Sequence, residues 1–78
     1  MDLRGNDLSL INLNHSQITD SNLTNASLKN SDLSFSSIIN SDLSGANLEG
    51  ANLEGVILDN VILTGANLKC INHSICNS

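Results

Sequence analysis

A leucine or isoleucine recurs along this chain at every fifth residue. The series runs Leu3, Leu8, Leu13, Ile18, Leu23, Leu28, Leu33, Ile38, Leu43, Leu48, Leu53, Leu58, Leu63 and Leu68, and fails only at His73 and Ser78. A period of five fits neither the 3.6 of an α-helical stripe nor the 2 of a long strand. It fits short extended pieces separated by bends that always turn the same way. Two residues before each of these centres the chain is small or apolar, as at Ile11, Ala26, Ser31, Ala46, Val56 and Ile71, with Asn6 as the departure. Residues two apart share one side of an extended segment, so this column and the centres face inward together.

Two residues after each centre the composition changes again. Of the fifteen such positions nine are Gly or Asn, the residues that best tolerate a positive φ. Leu10, Phe35 and Cys70 also fall in this turn column. Leu10 is expected on the surface, and Phe35 is unexpected at a bend. A chain that bends regularly, with small and leucine positions inside, coils into a solenoid. Stacked coils then bond backbone to backbone at a spacing of about 4.8 Å. The absence of proline agrees, since proline removes a donor from such a ladder.

Ala46-Asn47-Leu48, Ala51-Asn52-Leu53 and Ala66-Asn67-Leu68 are copies of one phrase, and Ser31-Asp32-Leu33 and Ser41-Asp42-Leu43 keep its class. The pattern resembles the pentapeptide-repeat family, whose motif is Ala-(Asp/Asn)-Leu-x-x. The resemblance implies an all-β fold, a right-handed quadrilateral β-helix of about four coils with four pentapeptides in each. It covers residues 1–70 and leaves 71–78 as an irregular tail or the end of the last coil. With four pentads per coil, residues twenty apart stack, so that Leu13, Leu33, Leu53 and His73 form one inward ladder. Members often carry a helical cap, and nothing here reads as a helix. The ends are therefore expected either to pair with a partner or to continue into a longer protein.

Composition narrows the function. Eight acidic residues against three basic ones give a net charge of −5, which argues against direct binding of nucleic-acid phosphates. No apolar run approaches a membrane span. Cys70 and Cys76 alone do not make a disulfide framework and read as free thiols in a reducing, cytoplasmic compartment. Cys70, His73 and Cys76 carry ligand-type groups at every third position, but three ligands without standard zinc spacing do not make a metal site. No catalytic residue, cofactor site or metal site is assigned. Nothing supplies a base, a phosphate loop or a cavity, so enzymatic activity is not expected.

The departures from the repeat carry the functional expectation. Ile39, Ile57 and Ile62 stand at outward positions where polar residues are the rule, and Phe35 stands at a turn. Together they are the candidate interface of a non-enzymatic structural or interaction module, binding a protein partner or its own copy. The alternative is suggested by the family resemblance: a DNA-mimicking regulator of a type II topoisomerase. Its shortness and scattered acids count against that reading. Lys29, Glu49 and Lys69 would stack in one outward column, as a solvated and mildly stabilised face.

Overall fold

A leucine at the centre of a short extended piece is buried only if the chain turns before the next one and returns above itself. The computed structural model, which describes residues 2–76, shows how it does so. In the regular coils the amide of a centre donates to a carbonyl nineteen residues on. Leu3 N bonds Asn22 O at 2.7 Å, Leu23 N bonds Asp42 O at 2.8 Å and Leu43 N bonds Ile62 O at 2.8 Å. The reverse bonds run from the residue before a centre, as from Asn47 N to Ala26 O at 2.9 Å. Every bridge up to Asn47↔Asn67 is parallel and joins residues twenty apart, four pentads, so the coil has four faces. On the fourth face the pairing widens into β1 (Gln17–Thr19), β2 (Ser37–Ile39) and β3 (Ile57–Asp59), a parallel sheet in that order with Ile18, Ile38 and Leu58 in register. The other faces are held by single-residue bridges.

The corners explain the Gly and Asn column. From Gly5 to Gly65 every residue of that column has φ between 51° and 72°. Around Asn25, at φ 60°, Ala26 N closes on Leu23 O at 3.0 Å, the bond of a turn that needs positive φ at its third residue. Leu10, His15, Asp20 and Phe35 adopt the same conformation, which costs a side-chain-bearing residue about 1–2 kcal/mol. The regular ladder over-determines the bend and absorbs that cost.

Where an Asp or Asn precedes a centre, it has a part that the periodicity did not reveal. Its side-chain oxygen reaches two residues on and accepts the backbone amide there. Asn22 does so with Thr24, Asp32 with Ser34, Asp42 with Ser44, and Asn47, Asn52 and Asn67 with Glu49, Glu54 and Lys69. Such Asx contacts pre-form the bend locally.

Inside, Ile18, Leu23, Leu28, Leu33, Ile38, Leu43, Leu48 and Leu53 are buried with Ala26, Ala46, Ala51 and Val56. Each buried Leu or Ile contributes roughly 1.5–3 kcal/mol as an upper estimate. The remaining centres, Leu3, Leu8, Leu13, Leu58, Leu63 and Leu68, belong to the end coils and are half-buried. Asn6 and Ile11, expected to face inward, are exposed because no coil covers them from below. The buried serines all find partners: Ser21 Oγ donates to Thr19 O, Ser31 Oγ to Leu28 O, Ser34 Oγ to Asp32 Oδ1, Ser36 Oγ to Leu13 O and Ser41 Oγ to Ile39 O, at 2.6–3.0 Å. No buried side-chain nitrogen or oxygen among the described residues lacks a partner.

The last coil corrects two expectations. After Leu68 the chain drops one residue: Ile71, not Asn72, bridges Asn52, and Leu53 N donates to Ile71 O at 3.0 Å. Cys70 therefore leaves the turn column and becomes the inward residue, 3 % exposed, while Ile71 points outward at 49 %. The inward slot takes a small side chain, and Cys suits it better than Ile. Cys70 and Cys76 are joined in a disulfide, with Cα atoms 5.0 Å apart, and are not free thiols. The tail turns back on itself, Cys76 N donating to His73 O at 3.1 Å, and this brings the two sulfurs together. The argument from free thiols to a reducing compartment falls with that correction. Ser78, where the count in fives fails a second time, lies outside the described residues.

Candidate interaction surface

A filled core leaves only the outer faces and the coil ends for function. Ile57 is the outward residue that opens β3, where the coils below carry Gln17 and Ser37. Ile62 tops the column Asp2–Asn22–Asp42, across the corner Asp59–Asn60–Val61. Both side chains stand free, at 58 % and 51 % exposure. Their separation in sequence is one pentad, so they mark adjacent faces of the same coil. Ile39 is different. It is half-buried, lies beyond the centre column from Ile57, and pairs with Thr19 and Asp59.

A shallow groove runs down the corner beside Ile62. Asp20, Asn40 and Asn60 line one side, Ser21 and Ser41 the floor, and Asn22, Asp42 and Ile62 the other side. Asn60 Nδ2 donates to Asn40 Oδ1 at 2.8 Å, so the corner side chains are tied along the stack. Asp42 accepts from the Ser44 hydroxyl and amide, and these bonds hold its carboxyl below the ordinary value of 3.8. The residues that line the groove are thus polar or anionic, apart from Ile62 on its rim.

Phe35 lies on a different corner, 53 % exposed, and the structure does not join it to the isoleucines. Its ring stacks on His15 twenty residues earlier, with centroids 5.4 Å apart and planes 15° apart. On its other side it covers Gly55. The partners of Phe35 were legible in the turn column, which places His15, Phe35 and Gly55 one above another.

The charged columns are sparse. Lys29 Nζ approaches Glu49 Oε1 at 3.6 Å. Arg4 pairs with Asp2 at 2.9 Å on the exposed first coil. The eight carboxylates scatter over the columns, and only Asp2 and Asp42 share one, with Asn22 between them. The tail is not a ligand set: both sulfurs are spent in the disulfide. His73 Nε2 donates to Val56 O at 2.9 Å while Nδ1 accepts from Ile75 N at 3.2 Å. The bonding pattern assigns the neutral tautomer with its proton on Nε2. Among the described residues no helix is long and apolar enough to cross a membrane.

At the open end of the first coil, Leu3, Leu8, Leu13 and Ile18 line an apolar hollow of ≈ 160 Å³.

Comparison with known proteins places this geometry. The family model for pentapeptide repeats matches residues 2–34 and 41–72, in eight copies. Among solved structures, a pentapeptide repeat protein of the Arabidopsis thaliana thylakoid lumen is 31% identical, over 85% of this chain and 60% of that one, with a TM-score of 0.48. Rfr23 of the cyanobacterium Cyanothece is 31% identical over 92% of this chain and 57% of its own, TM-score 0.37. HetL, a pentapeptide repeat protein involved in heterocyst differentiation regulation in the cyanobacterium Nostoc, is 35% identical over 91% and 40%, TM-score 0.34. The chain thus spans between 40% and 60% of the length of these three proteins. A search of curated proteins found no match. The motif, the four-sided parallel coil and the family match agree, and the fold is a right-handed quadrilateral β-helix. The chain belongs to the pentapeptide-repeat family.

Proposed function

We propose that this chain works as a non-enzymatic interaction module, a rigid β-helix that presents one apolar-edged face to a protein partner or to its own copy. The observation that carries the reading is the pair Ile57 and Ile62, both more than half exposed where the coils below carry Gln, Ser, Asn and Asp. Exposed isoleucines in a polar column add little to the stability of the coil. They suit an interface whose apolar centre is rimmed by polar groups. Ile39 and the corner groove extend that face.

The test combines light scattering across a wide concentration range with pull-downs from the source cells. The reading predicts self-association, or a retained partner, that is lost on Ile57→Asn with Ile62→Asn. A monodisperse monomer whose bound proteins are unchanged by the double variant would remove its basis. DNA mimicry gains no specific support, because the carboxylates form no continuous acidic column.

A further inference from the structure

The loop from Cys70 to Cys76 replaces a coil rather than continuing one. In the coils below, the carbonyl two residues before a centre accepts a backbone amide from above, as Ser36 O accepts Ile57 N at 3.0 Å. At the top, Val56 O instead accepts the His73 side chain at 2.9 Å. Ile75 and Cys76 pack, half-buried, against the core cluster, so the loop also roofs its apolar end. The repeat does not hold the loop there: the regular rungs end with Gly50 N to Lys69 O at 2.9 Å, the five-residue register is lost after Lys69, and no centre leucine follows. Apart from the Ile71 rung, its ties to the coil below are the His73 bond and an exposed contact from Asn72 Nδ2 to Asn52 Oδ1 at 3.1 Å. The covalent tie is the disulfide, which anchors the far end of the loop to the buried inward slot at Cys70.

We infer that the Cys70–Cys76 disulfide is a redox-operated clasp on the end of the β-helix. Oxidised, it holds the His73 loop over the last coil. Reduced by a dithiol, it releases the loop and uncovers both the apolar end and an unpaired backbone edge. The exchange is balanced and has a defined direction of attack. A thiolate of the dithiol attacks Sγ of Cys76, the less buried residue of the pair, and Cys70 leaves as thiolate. The second thiol of the reductant then displaces Cys76. The reductant ends as a disulfide, and its two protons end on the two cysteines. The loop encloses few residues, so the clasp acts locally, on the last coil, and leaves the central coils closed.

The experiment is amide hydrogen exchange on the full chain, oxidised and after dithiothreitol, with thiols counted by alkylation. The expected result is no free thiol before reduction and two after. Exchange at Leu53 and Ile71, whose amides bond across the last rung, rises about tenfold or more while Leu28 and Leu33 stay protected. A Cys70→Ala, Cys76→Ala double variant reproduces the fast exchange and no longer responds to dithiothreitol. Two free thiols in protein isolated without reductant would overturn the inference. So would unchanged protection at Leu53 and Ile71 after reduction, since the loop then needs no clasp. Loss of protection at Leu28 and Leu33 as well would also overturn it, by showing a staple for the whole fold.

Discussion

Phe35 lies across Gly55 so closely that a Cβ built on Gly55 would stand 2.5 Å from Phe35 Cδ1. Both residues have positive φ, so the corner combines a strained backbone with a glycine that makes room for the ring. Gly65 has nearly the same φ, but a Cβ there would meet nothing nearer than Gly45 N at 4.0 Å. The two glycines separate conformational cost from packing cost. Gly65→Ala is expected to cost about 1 kcal/mol, from φ alone. Gly55→Ala adds a clash that displaces the ring, about 1 kcal/mol more. Urea denaturation measures both, and in a Phe35→Ala background the difference between them should vanish.

Burial grades along the stack, and truncations should grade with it. Leu33 is fully buried and Leu8 only half-buried at the open end. Leu33→Ala should cost about 2–5 kcal/mol, as a core cavity does, and Leu8→Ala well under half of that. Ser36→Ala tests the polar side of the core. Its hydroxyl donates to Leu13 O at 2.8 Å and accepts Ser16 N at 3.0 Å, so its loss strands two backbone groups and should cost about 1–3 kcal/mol.

The Asx corners predict an acid limb. Asp32 and Asp42 have carboxyls held below the ordinary 3.8, first by the hydroxyl and then by the amide of Ser34 and Ser44. A carboxyl lowered in the folded state contributes stability that is present above 3.8 and is lost as pH falls through the lowered value. Melting temperature should therefore be flat near neutrality and decline below about pH 4. Asn22 makes the same contacts to Thr24 without a charge. Asp32→Asn with Asp42→Asn should thus leave the fold intact at neutral pH and reduce the acid decline.

The period of five was enough to place the buried centres and the bends, because burial and positive φ are each written in residue type at fixed spacing. The number of faces was not. It came from the family resemblance, and the Asn47↔Asn67 bridge shows what twenty residues mean in space. The last coil was misread because a deleted residue does not interrupt a count in fives until the next centre fails, at His73. A signal was present: Cys70 stands where Gly or Asn belongs, and moving it one place makes it a small inward residue. The disulfide follows only from that shift. On the outside, Ile57 and Ile62 were visible as apolar breaks in polar columns, whereas Ile39 looked equivalent and is half-buried.

The central claim is that the regular rungs are scaffold and that the face at Ile57 and Ile62 makes the contact. A photo-crosslinking residue placed at position 57 or 62, and as a control at Gln17 low in the same stack, tests it directly in the source cells. The account predicts one discrete adduct, shared by positions 57 and 62 and absent from 17. No adduct from either isoleucine position, or the same products from all three, would contradict it.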